Sequence, residues 1–272
     1  AAALRRDGAG RCVPVIGGGP AGMQAAIVLA ERGFRPILFE RRAYLGGSAV
    51  LASKAPCKGL VAEYIETQKN QLAALGVQVE LNHAPTMAEL RRLDPYGVFV
   101  TMGGQQIVPD IPGIDRENVF GIEDVLLGRR AIEGREVAVI GGGHVGLEVA
   151  HFLCANNKVT IVEMADEIGA SVYYITKFKL LPLLREAGVT FRTGQAIAAV
   201  DDGSIRLRDT HTGQCTELKA EAVVLAMGSR PDLAARAAFD RNFDHVVYAG
   251  DAVRGGTMLE ANRDAFALAW EF

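Results

Sequence analysis

Two stretches of the chain carry the same pattern of apolar and polar positions. In the first, the apolar run Val13-Pro14-Val15-Ile16 breaks into glycines, continues as a helical pattern from Met23 to Arg32, and returns to a second apolar run, Pro36-Ile37-Leu38-Phe39. In the second, Val137-Ala138-Val139-Ile140 leads through glycines and a helical pattern to Val159-Thr160-Ile161-Val162. Short apolar runs bounded by turn residues predict buried parallel strands, and the 3.6-residue spacing between them predicts a crossover helix. Each stretch therefore reads as strand, turn, helix, strand. One position runs against the pattern. Pro14 removes a ladder donor from a strand expected to be central, so either the strand begins at Val15 or one of its edges is locally unpaired.

The segments downstream of the two stretches are also similar. Leu60 to Leu75 has apolar residues at helical spacing and stops at Gly76; Val77 to Leu81 alternates as a strand. Val98 to Thr101 is a buried-looking strand, running into Met102-Gly103-Gly104, and Pro109 to Gly113 reads as a crossover. In the second half, Lys177 to Ala187 is predicted as a helix kinked at Pro182 and ended by Gly188, and Val189-Thr190-Phe191 starts a strand. Ile197–Val200, Ser204–Arg208 and Cys215–Leu218 predict a small antiparallel meander with turns at Asp202-Gly203 and Thr212-Gly213. Val223 to Gly228 then parallels Val98 to Gly103, which makes an internal repeat of about 125 residues.

Composition sets the outer limits. The chain has 272 residues, 49% hydrophobic and 22% charged, room for about two domains with ample cores. A net charge of −3 provides no electrostatic footprint for nucleic acid or an anionic membrane, and no apolar run approaches the ~18 residues of a membrane span. Cys12, Cys57, Cys154 and Cys215 include no C-x-x-C, which argues against a disulfide scaffold, a zinc site or a dithiol pair and fits a cytoplasmic setting. Cys154, on the apolar face after the second glycine turn, reads as a structural thiol. The opening Ala1 to Gly8 reads as a cut, and Ala265 to Phe272 as helix with no stop signal.

The glycines carry the chemistry. Gly17-Gly18-Gly19-Pro20-Ala21-Gly22 and Gly141-Gly142-Gly143-His144-Val145-Gly146 both match G-x-G-x-x-G between a strand and a helix, with Glu40 and Glu163 closing the next strand. In a dinucleotide site the first glycine allows the tight turn, the second admits a pyrophosphate and the third lets helix pack on strand. The free N–H groups of the helix start attract phosphate, and an acid about 20 residues on accepts from ribose hydroxyls. Other polar groups read more plainly. Arg41 and Arg42 are surface residues or face a phosphate, Lys54 and Lys58 face solvent in a loop, and His144 is a side chain of the turn. Near the end, His245 to Asp251 is a strand ending in Gly250-Asp251. Thr257-x-x-Glu260 forms a capping box that opens a helix. Asp251 is either a loop cap or a carboxylate for a polyol hydroxyl.

Taken in order, these stretches resemble the flavoproteins with two dinucleotide-binding domains. They resemble most the C-terminal flavin/NAD half of the NADH:flavin oxidoreductase family, which includes 2,4-dienoyl-CoA reductases, 2-enoate reductases, bile-acid-type enone reductases and trimethylamine dehydrogenase. The supporting stretches are Gly17-to-Gly22, Leu45-Gly46-Gly47, Lys54-x-Pro-x-Lys58, Ile111-to-Asp115, Glu123-to-Leu126, Val162-to-Met164 with Asp166-Glu-Ile168, Gly228-to-Pro231 and Gly250-Asp251. The resemblance implies an α/β fold of two Rossmann-like dinucleotide-binding domains, the second inserted into the first. The FAD domain would comprise 11–114 and a return segment 231–272, with the NAD(P)H domain at 115–230.

By the same resemblance, Gly17, Gly19, Pro20, Ala21 and Gly22 would take the FAD pyrophosphate and Glu40 the adenosine ribose, with Arg41 beside it. Gly47, Met102, Gly228 and Gly250 would flank the cofactors. Asp251 would hold the ribityl chain, and Met258 and Leu259 would present N–H groups to the flavin pyrimidine edge. Gly141, Gly143, His144, Val145, Gly146 and Glu163 would hold the nicotinamide nucleotide. Glu163 is followed by Met164 with no adjacent arginine, which favours NADH over NADPH. Hydride would pass from nicotinamide C4 to flavin N5 with the rings stacked where the domains meet, and no side chain is expected to act as a catalyst. The family's FMN-binding barrel and iron–sulfur cluster have no counterpart in this stretch; they would belong to an N-terminal part of the same polypeptide or to a partner subunit, and a homo-oligomer is compatible. The chain then reads as an electron-input module for reduction of an enoate, enone or enoyl-CoA type substrate. Two other readings stay open: an ADP-binding structural domain of an amine dehydrogenase-like flavoprotein, and a thiol-dependent reductase working through Cys57.

Overall fold

The computed structural model describes residues 5–272. The opening stretch read as a cut falls partly on residues 1–4, outside the described residues. The chain forms two compact units: one comprises the described residues up to Ser53, Gly59–Gln105 and Ser229–Phe272, the other Lys54–Lys58 and Gln106–Gly228. The second unit thus begins at Gln106 and ends at Gly228 and takes in a short excursion at Lys54–Lys58, where the sequence reading set 115–230.

Each unit is built on a five-stranded parallel sheet. In the first unit the order is Val246–Tyr248, Val98–Val100, Cys12–Ile16, Arg35–Glu40, Gln78–Leu81. In the second it is Val119–Gly121, Ala222–Leu225, Glu136–Ile140, Lys158–Val162, Thr190–Arg192. The strand leading into the glycines is central in both, which explains its unbroken apolar run: both faces are covered. Val13, Val15, Leu38 and Phe99 pack on one face against Pro20–Glu31, Ala265 and Ala269. Ile16, Ile37, Phe39 and Val98 pack on the other face with Leu90 and Phe239. A fully buried side chain such as Leu38 or Phe99 contributes about 2 kcal/mol. Both units are Rossmann-like. The expected meander is a separate antiparallel sheet of Gln195–Val200, Ser204–Asp209 and Cys215–Lys219.

Pro14 has a simple resolution. Arg11 and Gly17 bond toward Arg35–Glu40, through Arg35 N–H to Arg11 O at 2.9 Å and Gly17 N–H to Phe39 O at 2.8 Å. Cys12 and Ile16 bond toward the other neighbour, accepting from Tyr96 and Thr101. The alternation puts the donor that Pro14 lacks on the Val98–Val100 side, where pairing starts only at Val15. The strand therefore begins at Cys12, and one edge is unpaired where the proline sits.

Four α-helices among the described residues escaped the sequence reading: Ser48–Ala52, Met87–Arg92, Ile122–Leu126 and Leu233–Asp240. The second had a readable signal, the capping box Thr86-x-x-Glu89, and the last an N-cap at Asp232. Arg32 is another feature with no local signal. It is 3% exposed, donates from Nη1 to Ala269 O at 2.7 Å and pairs with both oxygens of Asp7 at 2.8 Å. One guanidinium thus joins the N-terminal segment to the end of Met258–Glu271. No helix among the described residues is long and apolar enough to cross a membrane.

The helix after each turn lies close against it. A Cβ on Gly22 would stand 1.9 Å from Gly17 O, and one on Gly146 would stand 1.9 Å from Gly141 O. Gly22→Ala or Gly146→Ala is therefore expected to cost about 3 kcal/mol or more in urea unfolding, the upper end of overpacking penalties. Gly59→Ala, whose Cβ meets nothing within 4 Å, should change stability by less than about 1 kcal/mol. A second test uses Arg32. Asp7→Asn strands a buried guanidinium, whereas Arg32→Met removes it, so Asp7→Asn should lower the urea midpoint more. Equal effects would contradict that account.

Candidate functional site

The two turns share their geometry almost atom for atom. Gly17 and Gly141 both have φ +109°, and a Cβ on either would lie 2.4 Å from the carbonyl of the adjoining strand end, at Thr101 and Ala226. Only glycine fits there. The middle glycines, Gly18 and Gly142, are roofed by Leu45 and Ile168, whose side chains a Cβ would meet at 2.4 and 2.8 Å. The next residue of each roof returns to the turn: Gly46 N–H donates to Gly18 O at 2.8 Å and Gly169 N–H to Gly142 O at 2.9 Å.

Gly19 and Gly143 differ from these. Their φ angles, −74° and −76°, suit any residue. A Cβ at Gly143 would meet nothing within 4 Å, and one at Gly19 only Gly47 Cα at 3.9 Å. Nothing inside the chain requires glycine at these two positions, so the space they leave suits a group brought from outside. The helices Pro20–Glu31 and His144–Leu153 start there with no side-chain cap and no acid in the first turn. Their first N–H groups, on Ala21 and Gly22 and on His144, Val145 and Gly146, are donors of the kind a pyrophosphate takes. On these grounds the residues fit two dinucleotides.

Both glutamates lean across their turns. Glu40, 6% exposed, accepts from Gly18 N–H at 2.7 Å and from Arg42 N–H at 2.8 Å, one bond per oxygen. Glu163 accepts from Gly142 N–H at 2.6 Å and from Ala165 N–H at 2.8 Å. An ionised carboxylate has about four acceptor positions, so each keeps capacity for ligand hydroxyls. Arg41 is exposed. Gly47, at φ +53°, packs on the first turn, where a Cβ would lie 2.9 Å from Gly19 Cα. Met102 is half-buried, and Gly228, at φ +85°, is exposed.

The second turn also holds a charge cluster. Glu148, 7% exposed, receives Lys58 Nζ at 2.6 Å and His144 Nε2 at 2.8 Å on the same oxygen. Burial pushes its carboxyl up, but the hydrogen bonds from His144 and Lys58 outweigh that and hold it below the usual value. An ionised carboxylate only accepts, so His144 Nε2 carries the hydrogen. Two expectations are corrected here. Lys58 does not simply face solvent, and His144 is the first residue of a helix and not a turn side chain. No local pattern links Lys58 to Glu148, so sequence periodicity had nothing to show.

The return segment closes beside the first turn: a Cβ on Gly250 would lie 3.1 Å from Ala21 Cβ. Asp251 sits in the one-turn Gly250–Ala252 helix. Burial pushes its carboxyl up, opposed by hydrogen bonds from Gly256 N–H and the Ser229 hydroxyl. It lines a cavity of about 290 Å³ with Thr257 and Glu260. The expected capping box is present, with Thr257 Oγ1 accepting from Glu260 N–H at 3.2 Å and Glu260 accepting from Thr257 N–H at 2.8 Å. It uses the first and fourth donors of the helix start and leaves those of Met258 and Leu259.

The cysteines are all free. Cys154 is half-buried, its thiol pushed up by burial and donating to His151 O, and the described residues hold no cluster of metal-ligating side chains. The pyridine nucleotide-disulphide oxidoreductase family matches residues 12–245. The chain is 34% identical over 265 residues to an NADH oxidase of Thermoanaerobacter brockii, covering 95% of this chain and 40% of that protein. It is 32% identical over 240 residues to a bilirubin reductase of Mediterraneibacter gnavus, covering 88% of this chain and 37% of that one. A 2-naphthoyl-CoA reductase structure superposes with a TM-score of 0.91 at 26% identity, over 99% of this chain and 41% of that chain. The chain thus spans about 40% of the length of these relatives. With its two glycine turns, each closed by an anchored glutamate, the chain belongs to the pyridine nucleotide-disulphide oxidoreductase family.

Proposed function

We propose that the first turn holds FAD and the second holds a nicotinamide dinucleotide, NADH in preference to NADPH, so that the chain feeds reducing equivalents from NADH into a larger reductase. The observation that carries this is the pair of open glycines, Gly19 and Gly143, each flanked by uncapped helix donors and a glutamate fixed by backbone N–H groups. When bound, the cofactors supply the chemistry, a hydride moving from the nicotinamide to the flavin. The protein's part is to bind and orient. Ala21 and Gly22 donate to the first pyrophosphate, and His144, Val145 and Gly146 to the second. Glu40 and Glu163 accept from adenosine ribose hydroxyls. Asp251 accepts from the polyol chain, and Met258 and Leu259 donate to the flavin's pyrimidine edge. This reading needs no side chain as acid or base.

Onward transfer lies outside this chain. The names of the relatives support a partner domain that reduces an unsaturated substrate of the enoate, enone or enoyl-CoA type. An FMN-binding barrel with an iron–sulfur cluster, in an N-terminal part of the same polypeptide or in a partner subunit, is the partner we infer. The test is reconstitution of the purified chain with FAD. Stoichiometric FAD and loss of its visible absorbance on adding NADH are expected. Retention of ADP alone, with no NADH-dependent change, would favour the structural-domain reading instead.

Two sets of variants sharpen this. A charge-assisted hydrogen bond contributes about 2 kcal/mol. Glu40→Gln should therefore weaken FAD binding, and Glu163→Gln NADH binding, by about tenfold to thirtyfold each, measured by fluorescence titration. The reverse assignment would overturn the order of the sites. Cys57→Ser should keep full NADH-dependent dye reduction, since Cys57 has no cysteine partner; its loss would restore the thiol-dependent reading.

A further inference from the structure

We propose that Asp166 and His211 form a clasp at the rim of the second turn that sets how strongly the site rejects a 2′-phosphate, and so governs the choice between NADH and NADPH. The inference rests on the second turn holding the nicotinamide dinucleotide and goes beyond it by assigning its selectivity.

The placement comes first. Directly after Glu163 the backbone folds back, because Ala165 N–H donates to the Glu163 carboxylate and Gly194 N–H donates to Ala165 O at 2.9 Å. Asp166 is thereby held beside the ribose acid. Its Oδ1 meets His211 Nε2 at 2.6 Å. His211 reaches it from the turn between Ser204–Asp209 and Cys215–Lys219, and that turn is tied down. Asp209 Oδ1 accepts from His211 N–H at 3.0 Å and Thr212 N–H at 2.7 Å, and Thr210 N–H donates to Gly194 O at 2.8 Å. Gly194, at φ +63°, has room for a Cβ only 3.5 Å from Asp166 Oδ1 and 3.6 Å from the His211 ring. The next residue, Gln195, donates its N–H to Glu163 O at 3.0 Å. The meander, which a dinucleotide fold does not need, thus presents an imidazole to the loop after the ribose acid.

The charges decide the effect. A 2′-phosphate adds about −1.5 to −2 near neutral pH. Glu163 and Asp166 together form a negative rim that repels it, and an imidazolium at His211 cancels one of the two. The charged groups facing His211 are Asp166 and Asp209; Glu167 next door is paired with Lys177, and Arg192 ends the neighbouring strand. The hydrogen bond and charge of Asp166 raise the imidazole above its ordinary value. Below that raised value the clasp is neutral as a pair and tolerates the phosphate better. Above it the Asp166 charge is uncompensated and NADPH is penalised selectively. Both side chains are exposed, so solvent screening keeps the effect to severalfold.

The experiment titrates the FAD-loaded chain with NADH and with NADPH by nucleotide fluorescence, from about pH 6.5 to about pH 9. The readout is the ratio of the two dissociation constants, NADPH over NADH. In the unaltered chain the ratio should rise about threefold to tenfold with pH. His211→Gln should show the high ratio throughout, and His211→Lys, a permanent cation, the low ratio throughout. Asp166→Asn should lower the ratio most at high pH. The phosphate's own ionisation near pH ~6 is common to all variants, so the comparison is between them at one pH. Identical ratios in all four proteins, with NADH bound, would overturn the clasp alone. Failure of the unaltered chain to bind either nucleotide would overturn the reading of the second turn and the clasp with it.

Discussion

Everything that makes the two turns usable depends on one close approach of backbone to backbone. The α-carbons of Gly22 and Gly146 sit so near the carbonyls of Gly17 and Gly141 that no side chain fits. That contact fixes the start of each helix against the end of its strand. With the helix start fixed, its uncapped N–H groups converge on the open side of Gly19 and Gly143. The glutamate at the end of the next strand can then span the turn to the middle glycine at 2.7 or 2.6 Å. Any side chain at the third glycine would force these groups apart together.

The duplication is close but not complete, and the differences are electrostatic. Leu45-Gly46 and Ile168-Gly169 roof their turns in the same way. At the strand beside the first turn, Thr101 Oγ1 donates to Ile16 O at 3.1 Å and Gly17 O at 2.9 Å, whereas Ala226 at the second has no hydroxyl to offer. Pro20 opens the first helix with no N–H, and His144 opens the second with an N–H and a titratable ring. Two charged clusters, Lys58–Glu148–His144 and Asp166–His211, lie beside the second turn.

How much of this was legible depends on the range of the interactions. The turns, their glutamates and the capping box at Thr257 are local, with partners within one turn or one crossover, so spacing alone exposes them. The buried strands read correctly because parallel sheets covered on both faces leave continuous apolar runs. Pro14 looked like an exception only because the side of the strand its donor would face depends on ladder register, which spacing does not encode. The Arg32 and Lys58 pairs join positions far apart in the chain, and no periodicity marks them. Thr86-x-x-Glu89 is different: it was a readable capping box that the hydrophobic pattern overshadowed.

The Glu148 cluster obeys the same electrostatics as the turn. A helix start that accepts an anion gains from every donor aimed at it and loses from any negative charge within the first turn or two. Glu148 lies one turn in and is buried, so an unpaired carboxylate there would oppose a phosphate at low dielectric and would be costly to bury in its own right. Lys58 and His144 both address the same Glu148 oxygen, and together they leave the helix start without net negative charge. The first helix has Gln24 at the equivalent place, two residues after its third glycine. An uncharged side chain needs no such partners, which is why the first turn can do without a lysine and a histidine and the second cannot.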